Sequence, residues 1–337
     1  MRHLPKSLFL MLMIFAVVAM CGWTTAACEI GGDDDDDNVG DDDDDATNPN
    51  CDVDPICDAF YNDGSQGGEL EVVIDDTEEY AIVSTNSLAE HEMGPFDIGP
   101  GEVVAQDLTF YIPLEPTSNP GSVTPLGPMA VAYNGVALFN PWDAVENNGC
   151  NNNAYYIRAR SFDRFGGHPQ QTGMYHYHVG TFLNYADELG IHNSTDWHSP
   201  ILGYSFDGYP IYGPYGYSDP EDSSSPIVLL ESCYELQSER TCCTDNSSCG
   251  TNAYFEGTRL VMGAFVEDYA YEQDAYDAGA CDLNAYNMRW QVTPEYPDGT
   301  WAYIMTMKDE TPVYPYIIGM NYYGNPSESG INNGPPA

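Results

Sequence analysis

Three histidines lie close together in the segment Asp163–Gly180, DRFGGHPQQTGMYHYHVG. His176 and His178 alternate with Tyr175 and Tyr177. In an extended chain successive side chains point to opposite faces, so the two histidines share one face and the two tyrosines share the other. Cα atoms two positions apart are about 7 Å from each other, which allows both imidazoles to reach one ion. The spacing predicts a metal site.

His168 is a candidate third ligand, because the Gly-Gly-His-Pro sequence around it and the Gln-Thr-Gly sequence after it predict a turn back towards the pair. His91 and His198 are further candidates for a four-ligand site, although both lie far from the pair in sequence. Histidines near tyrosines and methionines suit copper, and three histidines with a water molecule suit zinc hydrolysis. The alternative is that the imidazoles and tyrosine hydroxyls satisfy one another in a polar core.

Asp163 and Asp207 are candidates to hydrogen-bond to the ligating histidines and hold their rings in place. A carboxylate that accepts the second ring N–H of a ligating histidine fixes its tautomer and raises its basicity. For Asp207 the alternative is structural, since Asp207-Gly208 is itself a turn signal. Tyr175 and Tyr177 are candidates to line the same pocket.

Several blocks of the chain occur in an order that indicates a family. They are Ser84–Leu88 with His91, Ala132–Val136, Asp163–His178, His198–Gly213 and Tyr314–Gly319. In these blocks the sequence resembles the YHYH domain family, a family of mostly secreted bacterial proteins, over about residues 70–325. Phe165 stands where relatives often have a cysteine, and Asn284–Arg289 matches an Asn-Gly-Arg block only loosely. The resemblance implies export but no mechanism.

The charge of the chain excludes a protein that binds along the phosphates of a nucleic acid. Its 337 residues carry 53 acidic and 9 basic side chains, a formal net charge of −44. Such a surface repels nucleic acid and anionic membranes. It favours cations, so calcium or a cationic partner is expected on the acidic surface, unless the charge serves solubility alone.

Residues 1–27 are predicted to be a signal peptide, with Arg2 and Lys6 before the apolar run Leu8–Met20. Small residues precede Cys28, as at a bacterial lipoprotein cleavage site, so we expect a lipid on Cys28 and contact with a membrane only through that anchor. Plain secretion is the alternative. In either case the protein is expected to be exported, at the cell surface or outer membrane if it is lipidated.

The rest of the chain divides into three predicted segments. Residues 28–69 read as a disordered acidic tether, because two runs of five aspartates repel one another and cannot form a core. Residues 70–325 form the YHYH-like domain, and residues 326–337 a flexible tail. The eight cysteines after Cys28 indicate up to four disulfides in an oxidising compartment, with Cys51 pairing Cys57. A zinc cluster at residues 242–249 is the rival interpretation.

The domain is predicted to be mainly β, a single sandwich- or barrel-like domain with long loops and one or two short helices. A helix is expected over Phe182–Leu189, closed by Gly190, and a hairpin turn at Asp207-Gly208. The predicted strands are Leu70–Ile74, Tyr80–Thr85, Leu108–Ile112, Met129–Tyr133, Ala154–Arg160, Met174–Val179 and Trp301–Met307.

Two functional classes remain, because the chain has no nucleophile elbow, phosphate loop, dinucleotide fingerprint or zinc-protease helix. The first is an exported metalloprotein, a candidate enzyme that uses copper or zinc bound by imidazoles. The second is a cell-surface binding or adhesion protein in which the Tyr-His cluster is structural. Neither class names a substrate.

Overall fold

Alternating apolar residues form the strands that begin the domain. In Tyr80–Thr85 every second side chain, beginning with Ala81 and Val83, is buried, as expected for a strand with one face on a core. The computed structural model describes residues 54–99, 101–147, 149–243 and 249–327. The predicted signal peptide, both aspartate runs and Cys28 lie outside the described residues, as does most of the predicted tail.

The described residues belong to one unit, Thr47–Ala337. Its strands, in chain order, are β1 (Leu70–Ile74), β2 (Tyr80–Thr85), β3 (Leu108–Pro113), β4 (Pro128–Ala132), β5 (Ala137–Phe139), β6 (Trp142–Asn147), β7 (Cys150–Asn153), β8 (Gly167–Pro169), β9 (Tyr175–Tyr177), β10 (Ile201–Ser205), β11 (Pro210–Tyr212), β12 (Tyr215–Tyr217), β13 (Ile227–Leu229), β14 (Tyr234–Leu236), β15 (Tyr254–Phe255), β16 (Thr258–Arg259), β17 (Tyr269–Tyr271), β18 (Met288–Gln291), β19 (Thr300–Ile304), β20 (Met307–Lys308) and β21 (Thr311–Pro312). The helices are α1 (Pro55–Asp58), α2 (Ala154–Ile157), α3 (Ala186–Leu189) and α4 (Gln273–Asp277), with 3₁₀ turns at Thr181–Tyr185 and Val266–Asp268.

An eight-stranded sheet in the order β18-β19-β11-β10-β4-β5-β9-β8 is the centre of the domain. It is mixed, because β5 pairs with β9 and β11 pairs with β19 in parallel. A separate antiparallel sheet has the order β1-β2-β3. The prediction of a mainly β domain with few short helices is confirmed. The described residues form no barrel, because the large sheet is open and ends at β18 and β8.

Both faces of the central sheet are covered by apolar side chains. Along β4, Ala130 and Ala132 belong to one core cluster, and Val131 between them belongs to another. In β9 Tyr175 and Tyr177 pack into the first cluster. The intervening His176 stacks on Phe139 of the second. The strand that carries the histidines is therefore buried on both sides, and its polar groups need partners inside the protein.

Two predicted local structures are confirmed. The segment after β9 forms a 3₁₀ turn followed by α3, and Gly190 ends the helix in the left-handed conformation with φ of 70°. Antiparallel β10 and β11 are joined by the Asp207-Gly208 turn. Gly208 has φ of 92°, and a Cβ there would lie 2.5 Å from the carbonyl oxygen of Pro113, so only glycine fits.

The predicted strand at Ala154–Arg160 is wrong. The segment begins with α2, in which the Arg158 N–H donates to the carbonyl oxygen of Ala154. Ala154 and Ile157 are both buried, and this spacing of three suits a helical turn, whereas a strand would point them to opposite faces. Tertiary burial therefore overrides the strand propensity of the Tyr-Tyr-Ile sequence.

Residues 54–69, which the sequence pattern places in the tether, contact the domain. Ile56 of α1 is buried among the apolar residues of the second core cluster. Asn62 donates hydrogen bonds to the carbonyl oxygens of Leu88 and Asn134, each at 2.9 Å. Across the described ranges, no helix is both long enough and apolar enough to cross a membrane.

The described cysteines form disulfides. Cys150 pairs with Cys242, Cys233 with Cys281, and Cys243 with Cys249. Cys57 is also disulfide-bonded, and Cys51, its predicted partner, lies outside the described residues. The zinc-cluster interpretation at residues 242–249 is wrong, since a cysteine in a disulfide has no thiolate to offer a metal.

Candidate functional site

A short hairpin brings the three histidines together. β8 and β9 pair in antiparallel register, with His168 directly opposite His176. The connection is closed by two hydrogen bonds, from the Gln170 N–H to the carbonyl of Met174 and from the Gly173 N–H to that of Gln170. The predicted turn therefore places His168 beside the pair. On its other side β9 pairs with β5, which leads to Asn140 and its contact with His178.

The ligand atoms of His168, His176 and His178 lie within 4.8 Å of one another. The Nε2 atoms of His176 and His178 are 3.2 Å apart. All three side chains are buried, with exposed fractions of 7, 3 and 6%. Phe139 stacks on His176 at a centroid distance of 3.9 Å, and Phe162 packs edge-on against His168 at 4.6 Å. The cluster is a nitrogen-rich site with apolar walls.

Backbone carbonyls fix the tautomers of two rings. Nδ1 of His176 lies 3.1 Å from the carbonyl oxygen of Met174, and Nδ1 of His178 lies 2.7 Å from that of Asn140. A carbonyl oxygen only accepts, so each Nδ1 must carry the proton and donate it. Each Nε2 is then unprotonated, and its lone pair points into the cluster.

Ser161 fixes His168 in the same tautomer. The Ser161 hydroxyl donates to the carbonyl oxygen of Arg158 at 2.7 Å, so its single proton is used. Nδ1 of His168, 2.7 Å from that hydroxyl, must therefore donate to it. Nε2 of His168 is left with no hydrogen-bond partner among the described residues. Each of the three rings thus has a bare Nε2 and an Nδ1 held by a bond, and one ring nitrogen from each lies within 4.8 Å of the others.

Burial keeps the cluster neutral. Desolvation, aided by the other two imidazoles, holds the pKa of His176 well below its ordinary value. Desolvation lowers the pKa of His168 to about 2, with further contributions from His178 and Arg158. Desolvation lowers that of His178 to about 4, although the bond to Asn140 and the charge of Asp143 oppose it. At neutral pH the imidazoles are therefore in the form that binds metal ions.

The two tyrosines of the motif are held on the opposite face of β9. The Tyr175 hydroxyl donates to Asp163 at 2.8 Å. Tyr177 contacts Nε2 of His91 and accepts from Asn134 at 3.1 Å. Asn134 also donates to Glu90, as does the hydroxyl of Tyr133. This buried polar network locks the strand that carries His176 and His178.

The remaining predicted site residues lie elsewhere. Asp163 accepts from Tyr175 and from the backbone N–H groups of residues 94, 165 and 167, and its hydrogen bonds go to no histidine. Asp207 is buried and accepts from Tyr303 at 2.7 Å and from the backbone at residue 324. His91 stacks on Phe165, and His198 packs against Tyr212 and Tyr217, so neither joins the three-histidine cluster.

Sequence reasoning missed the groups that orient the rings. They are the hydroxyl of Ser161 and the carbonyl oxygens of Asn140 and Met174. It also missed the ion pair between Arg158 and Asp143, 2.7 Å, whose charges act on His178. Carbonyl groups carry no sequence signal. Ser161 lies seven positions before His168, and only the turn that joins them reveals its role.

Comparison with known proteins gives one match. The model of a protein family described as YHYH protein matches residues 109–318. This stretch contains all three clustered histidines together with Ser161 and Asn140, and it begins after His91. No curated protein and no solved structure matches the chain significantly.

Proposed function

The chain belongs to the YHYH protein family, and we propose that it binds one transition-metal ion, copper or zinc, through Nε2 of His168, His176 and His178. The observation that carries the proposal is the cluster of three buried imidazoles, each with a bare Nε2 and an Nδ1 proton committed to a fixed acceptor. Ligating histidines in metalloproteins are oriented in this way.

The spacing of two of the ligand atoms, Nε2 of His176 and Nε2 of His178, fits such an ion. In a tetrahedral site with metal–nitrogen bonds of about 2.0–2.1 Å, neighbouring ligand atoms lie about 3.3–3.4 Å apart. The His176 and His178 Nε2 atoms are 3.2 Å apart. Neutral imidazoles are ligands that suit both copper and zinc. The disulfides of the described chain leave the histidines, rather than thiolates, as the nitrogen or sulfur donors of this site.

A purely structural role accounts less well for the same contacts. Without an ion, His176 and His178 place two lone pairs against each other, and Nε2 of His168 is buried with no partner. A change of tautomer that moves the proton of one ring from Nδ1 to Nε2 would relieve the contact between the two Nε2 atoms. It would also break the hydrogen bond from that Nδ1 to its backbone carbonyl. An unsatisfied buried polar group costs about 1–3 kcal/mol. A shared ion would satisfy all three nitrogen atoms together.

Three protein ligands also leave a fourth position in a tetrahedral site, as in catalytic zinc centres. We therefore propose a metalloprotein that is a candidate enzyme. At that position the ion would polarise a water molecule or an anionic ligand. The chain's own contribution is to hold three neutral rings in place and to keep apolar walls, Phe139 and Phe162, around them.

We also propose that the protein is exported. The disulfides are compatible with an oxidising, extracellular compartment. Small residues before Cys28 support lipidation at that position, with the acidic segment as a spacer between membrane and domain. The formal charge of −44 supports calcium or a cationic partner at the surface and argues against nucleic acid.

The test is elemental analysis of residues 47–337, a boundary that omits the aspartate runs so that they contribute no adventitious cations. We expect near one equivalent of copper or zinc, lost in His168→Ala, His176→Ala and His178→Ala. His192→Ala is the matched control, because His192 is exposed and stacks on the exposed ring of Trp197. A wild-type protein with no tightly bound transition metal after loading would contradict the proposal and leave the binding or adhesion protein as the better interpretation.

A further inference from the structure

Arg289 is a buried cation for which the described part of the chain provides no ion pair. Its side chain lies on β18 and is 6% exposed. Nη2 donates to the carbonyl oxygen of Tyr217, and no described residue bonds to Nη1. Within the ranges that the structure describes, no carboxylate lies within 4.0 Å of this guanidinium. Asp219 and Asp282 act on it only at longer range. A buried charge of this kind is costly unless something compensates it.

Gln291 lies two positions further along β18 and therefore on the same face as Arg289. It is fully buried, and neither its amide nitrogen nor its amide oxygen has a partner in the described structure. The amide oxygen packs against Gly216, 3.2 Å from the position that a Cβ would occupy there. Gly216 is the neighbour of Tyr217, so Arg289 and Gln291 approach the same strand, β12.

His198 packs against Tyr217 of the same strand, with a centroid distance of 4.9 Å between the two rings. Its Nδ1 lies 2.8 Å from the carbonyl oxygen of Ser199 and must donate to it. Nε2 is then a bare acceptor, and it is buried with no partner among the residues that the structure describes. This histidine is separate from the three-histidine cluster, so a ligand bound beside it would not depend on the metal ion.

The unpaired atoms define the ligand. Arg289 and the Gln291 amide nitrogen offer N–H donors, and the positive charge of the guanidinium favours an anion. Nε2 of His198 and the Gln291 amide oxygen are acceptors, so the ligand must also bring a donor. We propose that Arg289, Gln291 and His198 form a second binding site that takes a small carboxylate with a hydroxyl or amino group on its α-carbon.

The experiment uses the full chain, stripped of metal by chelation and dialysis, and three probes of nearly equal size. Glycolate has the charge and the donor, acetate lacks the donor, and glycolamide lacks the charge. Binding is followed by thermal unfolding and by the ¹⁵N signals of the arginine guanidinium groups. We expect glycolate to raise the unfolding temperature and to shift one guanidinium signal. Its affinity should be about tenfold higher than that of acetate, and the difference in affinity from glycolamide should be larger than tenfold.

Two variants locate the effect. Arg289→Gln should abolish binding of glycolate and acetate alike and remove the shifted signal. His198→Phe keeps an aromatic ring against Tyr217 and should remove only the preference for glycolate over acetate, whereas His192→Phe, at an exposed ring, should change neither. Equal binding of glycolate and acetate to the wild type would overturn the donor requirement. No binding of any probe would overturn the site and mean that water alone satisfies these groups.

Discussion

The Tyr177 hydroxyl donates to Nε2 of His91 across the face of β9 opposite to His176 and His178. His91 must accept this bond, because its Nδ1 lies 3.2 Å from the carbonyl oxygen of Glu92 and carries the proton. Tyr177, the residue between the two candidate ligands, is thus held in place by a hydrogen bond on the opposite face of the strand. We therefore expect His91 to support the candidate metal site through the strand rather than by contact with an ion.

His91→Ala should therefore lower stability and spare metal binding. Removal of the ring leaves the buried Tyr177 hydroxyl without its acceptor, which we expect to cost about 1–3 kcal/mol of unfolding free energy. Urea unfolding of the metal-free protein measures this cost, and elemental analysis of the loaded protein measures the metal. His178→Ala is the comparison, with most of the metal lost. Equal metal loss in the two variants would place His91 among the ligands.

Ser161→Ala should weaken metal binding without removing a ligand. The change deletes the acceptor of the His168 Nδ1 proton, so the ring is free to rotate or to change tautomer. Loss of such a supporting bond reduces metal affinity about 10- to 100-fold. Competition with a chromophoric chelator gives the affinity. Ser238→Ala, at an exposed serine, is the matched control, and identical affinities in both variants would show that Ser161 has no orienting role.

The metal-free protein should lose stability as the pH falls below 6.5. The pKa of His178 is lowered from 6.5 to about 4 in the folded state, so the unfolded chain binds a proton that the folded chain does not. This contribution is fully present above pH 6.5 and is lost as the pH decreases towards 4. Between pH 6.5 and 4.5 the slope attributable to His178 is at most about 1.4 kcal/mol per pH unit.

Denaturant unfolding at a series of pH values measures that slope. His178→Gln removes the titrating group and should give a shallower dependence on pH. Parallel curves for wild type and variant would mean that His178 contributes nothing to the pH dependence.

The long-range disulfide should contribute more than the short one. Cys150 and Cys242 are 92 positions apart, whereas Cys243 and Cys249 are six apart. The chain-entropy model gives the longer loop an advantage of about 2 kcal/mol, because cross-linking it removes more freedom from the unfolded chain. Thermal unfolding of the two paired Cys→Ala variants tests this. A larger loss for the 243–249 pair would contradict it.

Mass spectrometry of the mature N-terminus decides the predicted lipid anchor. We expect a diacylated Cys28, because small residues precede it and a charged segment comes after it. An unmodified residue at the N-terminus would leave plain secretion.

The sequence alone determined features whose cause is local. Alternation of side chains placed His176 and His178 on one face, turn-forming residues folded His168 back beside them, and Gly190 ended a short helix. The strands β1 and β2 result from their own apolar periodicity. Each of these signals lies within a few residues of the structure that it specifies.

Only the tertiary structure decided which distant groups meet. Asn140 reaches His178 because β5 pairs with β9, and His91 reaches Tyr177 from 86 positions away. The helical turn at Ala154–Ile157 and the pairing of Cys150 with Cys242 are likewise set by packing. Burial fixes the charge state of the imidazoles, and burial depends on the whole chain rather than on neighbouring residues.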